Sequence, residues 1–252
     1  MTAVAAAMRA LHLLDLTDLA DTCREAAVDD LCTRAATPHG PVAAICTWPR
    51  FVAQARKRLA GSPVKIATVI NFPDGGDAIE RAINDAREAL RDGADEIDLV
   101  LPWRAFLAGD AATAREMIAA VADETGPDHL LKVILETGAL GTPEAIAGAS
   151  RLAIAAGANF IKTSTGKFAV SATPQAAAIM LEEIRACARP VGFKAAGGVR
   201  TLAEANIYLA LADRIMGPHW ATPTTFRLGA SSLLDALLAD IDRSAAVGQG
   251  GT

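Results

Sequence analysis

The feature that most constrains this chain is an alternation. Short apolar runs rich in Val, Ile and Phe recur along it, separated by Ala/Glu/Arg segments with helical periodicity. Eight strands are read, over residues 42–48, 65–72, 96–101, 130–136, 160–165, 191–195, 214–216 and 226–229. Helical patterns lie between most of them, for example over 77–92 and 174–188, each starting near Asp or Thr-Pro as helix N-termini favour. Strands alternating with helices imply a parallel sheet, and eight such units imply closure. The expected fold class is therefore α/β, a (β/α)8 or TIM-type barrel. An open doubly wound sheet is the competing architecture, but no early strand–GxGxxG–helix unit supports it.

The length of 252 residues suits one such barrel, and no composition break or linker divides residues 1–252. Residues through Asp18 are expected to form an extra N-terminal helix against the barrel. A short turn is expected over 217–225, and the Gly/Ala-rich residues 244–252 read as a flexible tail.

Composition removes several classes of function. Hydrophobic residues make up 52% of the chain, yet no apolar run approaches the ~20 residues that span a bilayer. The first residues lack the basic-then-apolar order of a signal peptide, so a soluble cytoplasmic protein is expected. Cys23, Cys32, Cys46 and Cys187 show no CxxC spacing, which fits reduced thiols and disfavours zinc. A net charge of −5 with 4% aromatics disfavours nucleic acid as a partner. A homodimer is allowed by the sequence and not fixed by it.

Lysine usage is more informative. The chain has 18 arginines and only six lysines: Lys57, Lys65, Lys132, Lys162, Lys167 and Lys194. Arginine serves wherever a solvated positive charge suffices, but it cannot act as a nucleophilic amine because it does not deprotonate in proteins. Only Lys57 sits in an obvious surface-helix sequence. The other five lie in or just after strand-like segments, where a barrel builds its site.

Strand alternation then assigns directions. In 96–101 the apolar set Ile97, Leu99 and Leu101 suits the helix-facing layer, leaving Glu96 and Asp98 to point inward. The same alternation turns Lys132, Glu136, Lys162, Ser164 and Lys194 inward. Buried charges must pair with one another or with water. A purely structural ion-pair network is one reading. The other is chemical: three lysines from three strands repel and lower one another's pKa. Holding a buried lysine neutral at pH 7 costs about 4 kcal/mol, which makes sense where a nucleophilic amine is needed.

Three Gly- or Ser-rich turns follow late strands, at Ser164-Thr-Gly-Lys167, Ala196-Gly-Gly-Val-Arg200 and Gly229-Ala-Ser-Ser232. Barrels often bind phosphate in such loops with the help of a helix N-terminus. Ser231 and Ser232 open a predicted helix over 233–241, and glycine permits close backbone approach.

The stretches Phe160-Ile-Lys-Thr-Ser-Thr-Gly-Lys167, Val191-Gly-Phe-Lys-Ala-Ala-Gly-Gly-Val-Arg200, Ala94-Asp-Glu-Ile-Asp98 and Phe226-Arg-Leu-Gly-Ala-Ser-Ser232 closely resemble the deoxyribose-phosphate aldolase family. So do Leu14-Asp-Leu-Thr17, Ala43-Ala-Ile-Cys46 and Val69-Ile-Asn-Phe-Pro73. The resemblance runs from about residue 10 to 240. It implies a metal-independent, cofactor-free lyase of deoxyribose phosphate catabolism, acting on a phosphorylated sugar and aldehydes. It implies that Lys162 forms a Schiff base, that Lys194 lowers the pKa of Lys162, and that Asp98 relays protons with Lys194 and a water. Gly166, Lys167, Gly197, Gly198, Ser231 and Ser232 are the expected phosphate contacts. Such sequences often end in a tyrosine that helps proton transfer, whereas this chain ends Gly-Gln-Gly-Gly-Thr, and its only tyrosine, Tyr208, lies in a predicted helix. A transaldolase-like Schiff-base enzyme would share the lysine without this pair of lysine motifs. A non-catalytic sugar-phosphate barrel would not need both Lys162 and Lys194.

Overall fold

The computed structural model describes residues 2–249, the last six of these by backbone alone. Eight parallel strands form a closed barrel: β1 (Leu14–Thr17), β2 (Ala44–Thr47), β3 (Lys65–Ile70), β4 (Glu96–Val100), β5 (Leu130–Ile134), β6 (Phe160–Lys162), β7 (Gly192–Ala196) and β8 (Phe226–Ala230). Each strand pairs with its sequence neighbours, and β1 closes the ring against β8 with Leu14 opposite Leu228.

The helices between strands begin where the sequence supplies caps. Thr142, Thr173 and Thr201 each accept a hydrogen bond from an N–H of the first turn of their helices, Pro143–Ala155, Pro174–Ala186 and Leu202–Met216. Thr201 and Glu204 form a reciprocal capping box. Side chains on the outer face of the strands, among them Ile45, Ile66, Ile97, Leu99, Leu131, Val133, Ile161, Phe193 and Leu228, pack against the helices as the main core. The inner face is different. It carries Asp15, Glu96, Asp98, Lys132, Lys162, Lys194 and Arg227, all buried.

The barrel agrees with the sequence reading, but two elements do not. The N-terminal helix spans only Ala3–His12, with Thr2 as its cap, and residues 14–17 form the first barrel strand instead of continuing the helix. Conversely, residues 214–216 are the last turn of the helix Leu202–Met216 and not a strand. A helix therefore precedes β8, and residues 217–225 need only be a loop. The final helix is longer than expected, Leu233–Gln249. The expectation of a flexible tail at 244–252 falls on residues whose side chains or whole placement lie outside the described ones. No helix among the described residues is long and apolar enough to cross a membrane.

Candidate active site

The inward charges form one hydrogen-bonded cluster. Asp98 Oδ1 accepts from Lys132 at 2.7 Å, while Asp98 Oδ2 accepts from both Lys162 at 2.8 Å and Lys194 at 2.9 Å. Lys132 also pairs with Glu96 at 2.6 Å, and Lys194 with Asp15 at 2.6 Å. Arg227 bridges Asp15 at 2.6 Å and Glu96 at 2.7 Å. Four cations thus face three carboxylates, and one positive charge is in excess. Burial at this depth makes an excess charge costly, so the cluster is balanced when one amine is neutral.

The pairing identifies which amine that is. Lys132, Lys194 and Arg227 each contact two different carboxylates, whereas Lys162 has only a share of Asp98 Oδ2. Burial opposes charge on all four. At Lys132, Lys194 and Arg227 the flanking carboxylates overcome it and hold the pKa above the ordinary value. At Lys162 burial prevails: with the Lys194 ammonium pushing the same way and Asp98 opposing, its pKa falls below that of an ordinary lysine. Asp98 is strongly favoured as the carboxylate, for although burial opposes its charge, three lysines surround it.

Lys162 is also the lysine of the cluster that reaches open space. It lines a cavity of about 340 Å3 at the C-terminal ends of the strands, together with Gly166, Lys167, Gly197, Gly198, Ser231 and Ser232. This is the end at which barrels carry function. Gly197 and Gly198 both have left-handed backbone, φ 88° and 86°. A Cβ on Gly197 would lie 2.5 Å from the Ser171 side chain, so a glycine is required there for close approach. Ser231 and Ser232 precede the helix Leu233–Gln249 and are exposed at its N-terminus, where backbone N–H groups favour an anion. Lys167 donates to the Leu19 carbonyl at 2.9 Å and lies 3.2 Å from Asp21, which ties the β6 loop to the segment after β1.

A family model described as DeoC/LacD family aldolase matches residues 7–239. The chain belongs to that aldolase family. It is 53% identical over 234 residues to a deoxyribose-phosphate aldolase of Agrobacterium fabrum, covering 92% of this chain and 90% of that one. A solved structure from Toxoplasma gondii ME49 is similar with a TM-score of 0.88, at 25% identity over 97% of each chain. A structure named QR15, an aldolase, is 27% identical with a TM-score of 0.81, covering 94% of this chain and 98% of that one. As a family aldolase, this protein is a carbon–carbon lyase.

Within the aldolase barrel, the nine candidate residues fall into two adjoining groups. Asp98, Lys162 and Lys194 share one carboxylate, and the other six line the cavity into which Lys162 opens. Lys65 departs from expectation. It is the first residue of β3, exposed, and 4.0 Å from Asp95 at the opposite end of the barrel. Ser164 is buried as expected but donates to the Ala196 carbonyl at 2.6 Å, outside the charge cluster. Asp15 and Arg227 are cluster members that the sequence reading did not single out. Both are lone charges between apolar neighbours, in Leu14-Asp-Leu16 and Phe226-Arg-Leu228, the same signal that revealed Asp98. Among the described residues no group of three or more His, Cys, Asp or Glu is arranged to hold a metal ion. The three acids of the cluster are taken up by lysine and arginine.

Proposed function

We propose that this aldolase reversibly cleaves 2-deoxy-D-ribose 5-phosphate to D-glyceraldehyde 3-phosphate and acetaldehyde through a Schiff base at Lys162, in deoxyribose phosphate catabolism. The observation that carries the proposal is the unequal pairing of the buried cations: Lys162 alone has half a carboxylate and an opening to the cavity. The name of the 53% identical relative supports the choice of substrate.

The neutral Lys162 amine adds to the C1 aldehyde of the open-chain sugar, and the carbinolamine takes up a proton and loses water to give the iminium. Removal of the proton from the C3 hydroxyl breaks the C2–C3 bond, and the electron pair passes into the iminium as an enamine. Glyceraldehyde 3-phosphate leaves. Protonation of the enamine at C2 and hydrolysis of the imine release acetaldehyde and restore the amine. Asp98 and Lys194, with a water, are the groups placed to carry these protons, since both meet Lys162 at one oxygen atom. Lys194 keeps its proton while Lys162 gives one up, an acid and a base set apart by environment. The phosphate is assigned to Gly166, Lys167, Gly197, Gly198, Ser231 and Ser232. We read the enzyme as cytoplasmic, with small phosphorylated sugars and aldehydes as its partners and no role for nucleic acid or membrane.

Trapping tests this directly. Acetaldehyde with borohydride should leave one ethyl group on Lys162, located by mass spectrometry of a digest. Labelling at Lys167 or Lys194 instead would overturn the assignment.

A further inference from the structure

Just beyond the end of β5, Glu136 adopts a left-handed backbone, φ 57° and ψ 60°. Glycine takes this conformation freely, whereas a non-glycine residue holds it only where its surroundings impose it. A glutamate kept here points to a task for the side chain. The backbone on either side is pinned to the strand that carries Lys162: Leu135 N–H donates to the Lys162 carbonyl at 2.9 Å, and Thr137 N–H to that of Thr163 at 2.9 Å. The left-handed turn sends the carboxyl group into the protein, where it is fully buried.

Its partner is the loop that follows Lys162. Glu136 Oε2 accepts from the Thr165 amide at 3.1 Å and from the Thr165 hydroxyl at 2.5 Å. With its proton committed to Glu136, the Thr165 hydroxyl offers a lone pair to the Lys167 amide, 3.1 Å away. Glu136 Oε1 has no partner among the described residues. Two further contacts lock the same surfaces together. A Cβ on Gly138 would lie 2.1 Å from the Val170 carbonyl, and the Trp103 ring meets the Phe168 ring edge-on at 5.8 Å. The Thr165-Gly166-Lys167 turn is thus held from below by one carboxyl group.

We propose that Glu136 is a positioning residue for substrate phosphate: through Thr165 it fixes the Gly166–Lys167 turn in the form that receives the anion. The inference rests on the aldolase reading given above. It requires that Glu136 act on the phosphate end more than on the amine chemistry at Lys162, although Lys162 ends β6 and the turn lies in the loop that follows it.

Glu136→Ala should therefore raise KM for deoxyribose 5-phosphate by roughly tenfold or more, the size expected when charge-assisted bonds to a phosphate lose their alignment. Borohydride trapping of acetaldehyde, which has no phosphate, should lose far less than sugar cleavage does. Because the Glu136 carboxyl group also interacts with the Lys162 ammonium, its removal can move the trapping profile only toward lower pH. Glu136→Gln keeps an acceptor oxygen and should stay within about twofold of wild type in KM. Thr165→Val should reproduce the KM effect from the other end of the contact, and it supplies the test if Glu136→Ala does not fold. Equal losses in sugar cleavage and acetaldehyde trapping would overturn the proposal. So would an unchanged KM in Thr165→Val. If wild-type protein neither cleaves the sugar phosphate nor traps acetaldehyde, the aldolase reading itself fails, which is a separate result.

Discussion

The two ends of the barrel interior use the same kinds of side chain to opposite effect. At the floor, Arg227 and Glu96 border a cavity of about 360 Å3 lined mainly by Pro, Val, Ala and Leu. There the buried charges are matched: Arg227 holds Asp15 and Glu96, and Lys132 holds Glu96 and Asp98. At the mouth Lys162 shares one oxygen with Lys194 and faces a cavity bordered by glycine turns. A matched charge is quiet. A half-matched one is reactive, because burial then decides its protonation. The floor raises pKa values of its cations while the mouth lowers that of Lys162, and the difference comes from counting carboxylates rather than from depth.

The sharpest way to break this contrast is to remove one cation from each end. Lys162→Met should abolish sugar cleavage, by about 10⁴-fold or more as when a covalent nucleophile is lost. Its thermal stability should be unchanged or higher, because the variant leaves three cations facing three carboxylates. Arg227→Met should do the reverse. It strips one partner from both Asp15 and Glu96, and breaking a buried pair typically costs about 3–5 kcal/mol. Activity of the fraction that remains folded should fall far less than in Lys162→Met. Denaturant melts and activity per folded molecule check both halves. Equal stability losses in the two variants would show that Lys162 is as fully paired as the floor cations.

A second, smaller effect separates Lys162 from its neighbour. Lys194→Met removes the ammonium that pushes the Lys162 pKa down and leaves Asp98 Oδ2 entirely to Lys162. Both changes favour protonated Lys162. Cleavage at neutral pH should drop, typically by 10²–10⁴-fold if Lys194 also moves protons, and the acid limb of the rate profile should move to higher pH. A lower rate with an unmoved limb would leave Lys194 a proton carrier and remove its part in tuning Lys162.

Much of this contrast could be anticipated from sequence because inward direction is a local property. Period-two alternation turns Glu96, Asp98, Lys132, Lys162 and Lys194 to one side of their strands, and the scarcity of lysine marks them as chosen. Pairing is not local. Nothing near Arg227 indicates that it reaches Glu96, 131 residues away, or Asp15, 212 residues away. Lys65 misled for a related reason: residue type and strand membership do not say which end of the barrel a residue occupies, and Lys65 starts its strand. The missed strand β1 has only four residues, one of them Asp15, so its apolar signal is weak. The triplet 214–216 reads as a strand in isolation, although helical packing from Leu202 onward claims it. One strand missed and one wrongly added leave the count at eight, so a partly wrong set of elements still implies the barrel. Alternation points Glu136 inward, but its left-handed backbone and its bond to Thr165 depend on the neighbouring strand.

The smallest expected effect is thermodynamic, and it sets the two ends against each other by sign. Lys162 has a folded-state pKa below its unfolded value of about 10.4. The unfolded chain therefore binds more protons than the folded one between those two values, and the Lys162 contribution to stability rises with pH across that window. Lys132 and Lys194 have raised folded-state values. Their contribution is fully present below about 10.4 and is lost only as pH climbs through the raised values. From neutral pH to about 10, then, Lys162 should be the only member of the cluster whose linkage makes stability increase. Its slope is at most about 1.4 kcal/mol per pH unit, the value for one proton. Stability curves for wild type and Lys162→Met, measured by chemical denaturation at several pH values, isolate this contribution as their difference. Surface groups titrate in both proteins and cancel. The advantage of Lys162→Met over wild type should be greatest below the Lys162 pKa and should shrink as pH rises. A difference that is flat with pH up to about 10 would mean that Lys162 keeps its proton in the folded state, paired like Lys132, and would end the distinction between mouth and floor.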